Sequence, residues 1–177
     1  MNDEIIHVED SEDKILVYDS CDKIKYLFNQ DSYFNPEKNK NCQLKKNIAE
    51  IISYDDFIER FAYYTSDYGV VIDFRYFKIF AKSIIYDTVI NHCSEVFDKA
   101  LHDKSTFIIH LNLQGLSIID IERLYTFICK FARVMKEKYP VQLEICNLYN
   151  SPFIVNQLLH VISLFINKET QRKFKVV

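Results

Sequence analysis

Between Phe153 and Phe165 only Asn156, Gln157, His160 and Ser163 interrupt a run of large apolar residues. The run follows Asn150-Ser151-Pro152, a pattern that starts helices, and predicts a helix over 151–166 that is apolar around most of its circumference. Such a helix must be buried on both sides, face a lipid, or dock into a partner. It falls short of the about 20 apolar residues that cross a bilayer. One side is expected to meet a sheet, which leaves the other side in need of cover.

The elements upstream follow from the same patterning. KILVYDS (14–20) has the apolar run and β-branching of a short strand, and DKIKYLFN (22–29) could supply a turn or two of helix. QDSYFNPEKNKNCQLKK (30–46) is the most polar stretch and contains Pro36, so it predicts a long loop or linker. Ile48, Ile51, Ile52, Ile58, Phe61 and Ala62 keep a helical stripe over 47–64, and Thr65 to Gly69 reads as a turn. VVIDFRYFKIF is open between strand and helix. From Phe77 to Leu101 apolar residues recur at spacings of three and four, which predicts one helix.

TFIIHLNL (106–113) is a run of the kind found in a sheet covered on both faces. Ser117 with Asp120 forms a capping-box pattern, and the stripe from Ile121 to Met135 carries a helix to Lys138. Tyr139-Pro140 ends it, LEICNLY (143–149) reads as a buried strand, and a short basic strand closes the chain. Strand, helix, strand, helix, strand in succession predicts an α/β fold with a mainly parallel sheet drawn from the second half. The expected organisation is an acidic N-terminal extension and loop over 1–46 and an α/β domain over 47–177.

At 177 residues the chain can bury a substantial core. Its net charge of -3 gives no global field for nucleic acid. The charge is uneven, with Asp3, Glu4, Glu9, Asp10, Glu12 and Asp13 at one end and Lys168, Arg172, Lys173 and Lys175 at the other. Cys21, Cys42, Cys93, Cys129 and Cys146 are odd in number and lack CxxC spacing, which favours a reducing, cytoplasmic setting. MNDEIIHVEDSEDK lacks the basic and apolar regions of a signal peptide.

No GxGxxG, GxxxxGK[ST], GxSxG or HExxH occurs. His7, His92, His102, His110 and His160 are scattered, without metal-ligand spacing. His110 in its strand reads as a satisfied core histidine, and His160 either lines a pocket or is structural. Asp55-Asp56 and Asp10 with Asp13 suit caps or solvated faces. No catalytic residue, metal site or cofactor is expected.

HLNLQGLS, the helix ending in KYP, and LEICNLYNSPFIVNQLLHVISLFINKETQRKFKVV together resemble the CRAL-TRIO domain of lipid-transfer proteins. In that family a D-L-x-G strand end, a helix closed by Tyr-Pro, an x-I-x-N-A-P strand, an apolar helix and a T-x-x-K-[IF] segment follow one another. The matching positions are Asn112, Leu113, Gly115, Tyr139, Pro140, Asn150, Ser151, Pro152, Phe153, Thr170, Lys173 and Phe174. The resemblance covers about 105–177 and implies a lipid-filled cavity with the apolar helix as its gate. Phe153, Ile154, Leu158, Val161, Ile162 and Phe165 would form that gate, and Thr170 and Lys173 would hold an inositol phosphate headgroup. Val141 stands where phosphatidylinositol-binding members carry a carboxylate, and Phe107 and Ile109 where a Ser/Thr pair recognises choline phosphate. The family's domain continues past the T-x-x-K strand, so the cavity here is expected to be smaller or completed by another chain. IIHLNLQGLSIIDIERL is also similar to the strand-loop-helix of STAS domains, without their phosphorylated Ser. The few Gly and Pro beside abundant Ile, Asn, Lys, Tyr and Phe resemble the short CRAL-TRIO-like proteins of large DNA viruses.

The expected function is a non-enzymatic module binding a hydrophobic ligand or phospholipid, with transient membrane-surface contact through Lys168, Arg172, Lys173 and Lys175. The alternative is a filled pocket and an interaction module, in which the apolar helix or a sheet edge supports a homodimer.

Overall fold

The computed structural model describes residues 12–31, 33–34 and 53–177. In chain order these form α1 (Glu12–Gln30), α2 (Tyr54–Phe61), β1 (Ala62–Thr65), β2 (Gly69–Asp73), α3 (Phe74–Phe80) and α4 (Tyr86–Asp103). Then come β3 (Phe107–Asn112), α5 (Ile118–Arg123), α6 (Tyr125–Lys138), β4 (Leu143–Tyr149), α7 (Val155–Ser163), α8 (Lys168–Gln171) and β5 (Phe174–Val176). The strands make one sheet in the order β1-β2-β3-β4-β5, with β1 antiparallel to β2 and every later pair parallel.

That order decides the layering. Each parallel step from β2 to β5 moves to the next strand in the same direction, and right-handed crossovers then put all the connecting helices on one face. The register shows which residues look at them. Val70, Ile109, Cys146 and Phe174 lie level, as do Ile72, Leu111 and Leu148. This face is apolar, and its core joins Val70, Ile72, Ile109, Cys146 and Leu148 to residues of α2, α3, α4 and α6. The opposite face carries Val71, His110 and Asn147 in one row and Asp73, Asn112 and Tyr149 in the next. Among the described residues α1 packs there, through Cys21, Ile24 and Phe28 on Val71 and Tyr149.

The capping box forms as expected, with Ser117 Oγ accepting from Asp120 N and the Asp120 side chain accepting from Ser117 N. Burial alone would raise the Asp120 carboxyl, but the Lys78 ammonium at 2.8 Å and Ser117 hold it below its ordinary range. Tyr139, which closes α6, donates from its hydroxyl to Ser94 O at 3.0 Å and to Asp98 at 2.7 Å and so pins α6 to α4. Phe97 stacks on Phe107 beside it, with centroids 4.9 Å apart.

Several expectations change. KILVYDS lies within α1 and is not a strand; Cys21, Ile24 and Phe28 follow at helical spacing and bury against the sheet, and that tertiary contact outweighs β-branching. The sheet is not confined to the second half, because β1 and β2 come from 62–73. The helix expected to reach Tyr64 stops at Phe61, and 62–65 are strand. Gly69, at φ 99°, lets the hairpin return; a Cβ there would meet Ile108 O at 2.8 Å. The helix expected over 77–101 is two: α3 packs beside α2, whereas α4 packs on β1, and one straight rod cannot do both. A similar break at Leu124 (φ -96°, ψ 7°) separates α5 from α6. The proposed boundary between 46 and 47, the acidic stretch to Ser11 with His7, Pro36 and Cys42, and the start of the 47–64 helix lie outside the described residues.

Cys21, Cys93, Cys129 and Cys146 are free thiols, and burial pushes Cys93 and Cys146 up to about 12. His110 is inside, as read from its strand. Nε2 donates to Tyr68 O and Nδ1 accepts from the Tyr149 hydroxyl, each at 2.8 Å. Burial lowers its pKa from the ordinary 6.5. The folded state therefore binds fewer protons than the unfolded one, and stability falls as pH drops below about 6.5. Urea unfolding at pH 7.5 and 5.5 should show a larger acid-side loss for the parent than for His110→Gln; equal losses would mean that the ring takes up a proton while buried.

Candidate functional site

The apolar face of the sheet does not pack solidly against its helices. Between β2, β3, β4 and β5 on one side and α6 and α7 on the other lies a cavity of about 140 Å³. Ile72, Ile109, Leu111, Cys146 and Phe174 form its floor, Leu124, Phe127, Phe131 and Met135 one wall, and Leu158, Ile162 and Ile166 the other. The last three recur every four residues, so one edge of α7 and its continuation faces the space. No polar surface borders it. An apolar hollow of this size stays dry and suits a benzene-sized guest, whereas pockets for drug-sized ligands run to about 300–1,000 Å³. The cavity is partly open to solvent.

The segment carrying α7 is fixed at its two ends by polar contacts. At the start, Asn150 takes a left-handed conformation (φ 50°) and donates from Nδ2 to Asn112 Oδ1 at 3.0 Å. Asn112 in turn donates to Asp73 Oδ1 at 3.2 Å, and Asp73 is paired with Arg75 at 2.6 Å. Burial pushes the Asp73 carboxyl up while the guanidinium pulls it back. At the far end, Gln171 Nε2 donates to Ser163 O at 3.2 Å and to Ile166 O at 3.1 Å, holding carbonyls that the helix leaves unpaired.

The residues expected to form the gate separate into three groups. Leu158 and Ile162 line the cavity. Ile154 is buried in the core, and Val161 and Phe165 are half-buried and do not line the space. Phe153 is 92% exposed. The helix is also more amphipathic than its composition suggests, because Asn156, Gln157 and His160 share its solvent side, which leaves His160 outside the cavity. Thr170 touches the cavity edge. Lys173 does not line it, and its Nζ donates to Leu143 O at 2.8 Å. Val141, after Tyr-Pro, is exposed, Phe107 is buried and Ile109 is in the cavity floor. The α6 wall and the Gln171 latch were not singled out from sequence: an apolar stripe reads the same over a filled core and over a hollow, and a glutamine in a polar segment carries no mark.

Among the described residues no cluster of three or more His, Cys, Asp or Glu could hold a metal ion, and no helix is long and apolar enough to cross a membrane. A CRAL/TRIO domain model matches residues 4–177, and the chain belongs to that family. A solved structure described as "Crystal structure of Sfh5" is similar at a TM-score of 0.58 and 14% identity, covering 95% of this chain and 65% of that one. At that identity the likeness shows the fold, and this chain spans somewhat under two thirds of that protein's chain. None of the curated proteins matches the sequence.

Leu158→Ala should enlarge the hollow and cost about 2–5 kcal/mol in urea unfolding. Ile162→Phe should fill it, holding or raising Tm while excluding an apolar guest. A loss for Ile162→Phe as large as that for Leu158→Ala would mean that the space does not accept added side-chain volume.

Proposed function

We propose that the chain is a non-enzymatic lipid-binding module, in which the segment around α7 swings outward to admit a hydrophobic ligand between itself and the sheet. The observation that supports this most is the apolar cavity beside Leu158 and Ile162. Evacuated apolar surface gives up dispersion contacts on both walls. A guest restores them, gaining about 0.8 kcal/mol for each methylene removed from water. The fastening favours motion of one piece: Asn150 supplies a turn at one end, and the two Gln171 bonds hold the other. Titratable groups that could do chemistry are scarce on the cavity wall, where the Cys146 thiol is pushed up to about 12.

Outward motion would lay Leu158, Ile162 and Ile166 on a membrane, beside Phe153 and Leu164, which are already exposed. In this reading Thr170, at the cavity edge, and Lys173, three residues on and outside the lining, take a lipid phosphate. The Lys173 ammonium spends one of its three N–H groups on Leu143 O and keeps the others for a ligand. A filled-pocket homodimer receives less support, because the pocket is not filled.

Organic-solvent extraction of the purified protein, or of protein incubated with mixed lipid vesicles, followed by mass spectrometry should return a hydrophobic ligand in stoichiometric amount. Absence of any bound or loadable lipid would end this reading. Lys173→Ala should weaken binding to phosphoinositide-containing vesicles with Tm unchanged, and binding equal to the parent would remove Lys173 from the headgroup site.

A further inference from the structure

The N-terminal edge of the sheet, with the face turned away from the crossover helices, holds an opening of a different kind. Toward the N-terminal ends of β2, β3 and β4 a cavity of about 670 Å³ is bordered by Tyr68, Lys104, Ile108, His110, Glu144 and Asn147. That volume suits a small-molecule site, and its mixed polar lining suits a water-soluble ligand better than a lipid tail.

Asn147 gives the cavity its direction. Its register places it beside His110 on this face, and it is only 3% exposed. No side-chain hydrogen bond joins its carboxamide to another described residue, and the group borders the cavity, where a ligand can reach it. His110, by contrast, has both ring nitrogens engaged and stays uncharged, so it forms wall rather than ligand contact. The charged lining is balanced, with Lys23 and Lys104 against Asp67 and Glu144. A balanced lining gives no net field to gather an anion or a cation. Glu144 binds the Thr106 hydroxyl through Oε2 at 2.9 Å, which leaves its second oxygen available.

We propose that this cavity binds a small net-neutral zwitterion of the free amino acid type. Asn147 hydrogen-bonds the buried polar end of the ligand, while Lys104 and Glu144 meet its carboxylate and its ammonium group. The site is separate from the apolar cavity, since the sheet lies between them.

The test is a titration of the ¹⁵N-labelled full chain with a mixture of the neutral L-amino acids and then with L-glutamine, whose side-chain amide can face that of Asn147. Sodium phosphate and ammonium chloride serve as charged controls. The Asn147 side-chain NH₂ resonance should move saturably with the amino acids and not with the controls. Asn147→Leu should weaken binding at least about tenfold, read from the backbone amides of Ile108 and Ile145. Lys104→Ala, an exposed change, should also weaken it several-fold without altering the spectrum elsewhere. No saturable shift with the amino acid mixture, equal shifts with either control, or parent-like binding by both variants would overturn the proposal. Lipid capture is read independently on the other face, so failure here leaves that reading untouched.

Discussion

Everything in this molecule depends on the sidedness of the parallel sheet. Once β2, β3, β4 and β5 are laid down in sequence order, right-handed crossovers leave all the connecting helices on one side. That side must then be apolar across four strands, and it is. The other side carries no crossover helix and among the described residues is covered in part by α1, so Asp73, His110, Asn112 and Asn147 can occupy inward positions there that would be costly under a greasy helix. The two cavities are consequences of this division. One is an apolar gap between the sheet and the side chains of α6 and α7, and the other is an opening of mixed polarity at the N-terminal ends of the strands.

Polar groups at the C-terminal ends of the strands connect the two sides. Arg75 donates to both Asp73 oxygens, to Gln114 Oε1 at 3.2 Å and to Phe28 O at 3.1 Å, tying the sheet to the end of α1. The same Asp73 accepts from Asn112, whose oxygen accepts from Asn150 at the entrance to α7. A buried ion pair of this kind adds little net stability compared with apolar packing, but removing one partner costs about 3–5 kcal/mol. Its value here is positional. It fixes where α7 begins.

Much of this fold was readable from pattern alone, for identifiable reasons. TFIIHLNL and LEICNLY announce central strands through their apolar, β-branched runs, although the crossover helices cover one face and His110, Asn112 and Asn147 alternate onto the other, and Ser117 with Asp120 announces a helix start because both capping bonds are local. The features that escaped are those set by distant contacts. The strand-like KILVYDS became helix because α1 gains a sheet to lie on, and Phe77 to Leu101 broke because α2 and β1 demand different directions from the two halves. Arg75 reads as a surface residue until Asp73, Phe28 and Gln114 converge on it. On α7 the count of apolar residues was right and its implication only half so: Asn156, Gln157 and His160 share one side, leaving Phe153 and Leu164 as exposed apolar ends.

The smallness of the apolar cavity bears on how a lipid module of this size could work. A preformed tunnel large enough for an acyl chain would expose the floor of the sheet to water whenever it stood empty, and evacuating that surface would cost about 25 cal/mol for each square ångström. A gap of about 140 Å³ lowers that cost by letting α7 settle nearly onto Ile109, Cys146 and Phe174, while the residual misfit keeps the closed packing from being optimal. An imperfectly filled interface held at its ends by a few hydrogen bonds opens more readily than a close-packed one. In the proposed reading, the looseness beside Leu158 and Ile162 would lower the work of opening on a membrane, where the surrounding hydrocarbon would take the place of the contacts that the helix gives up.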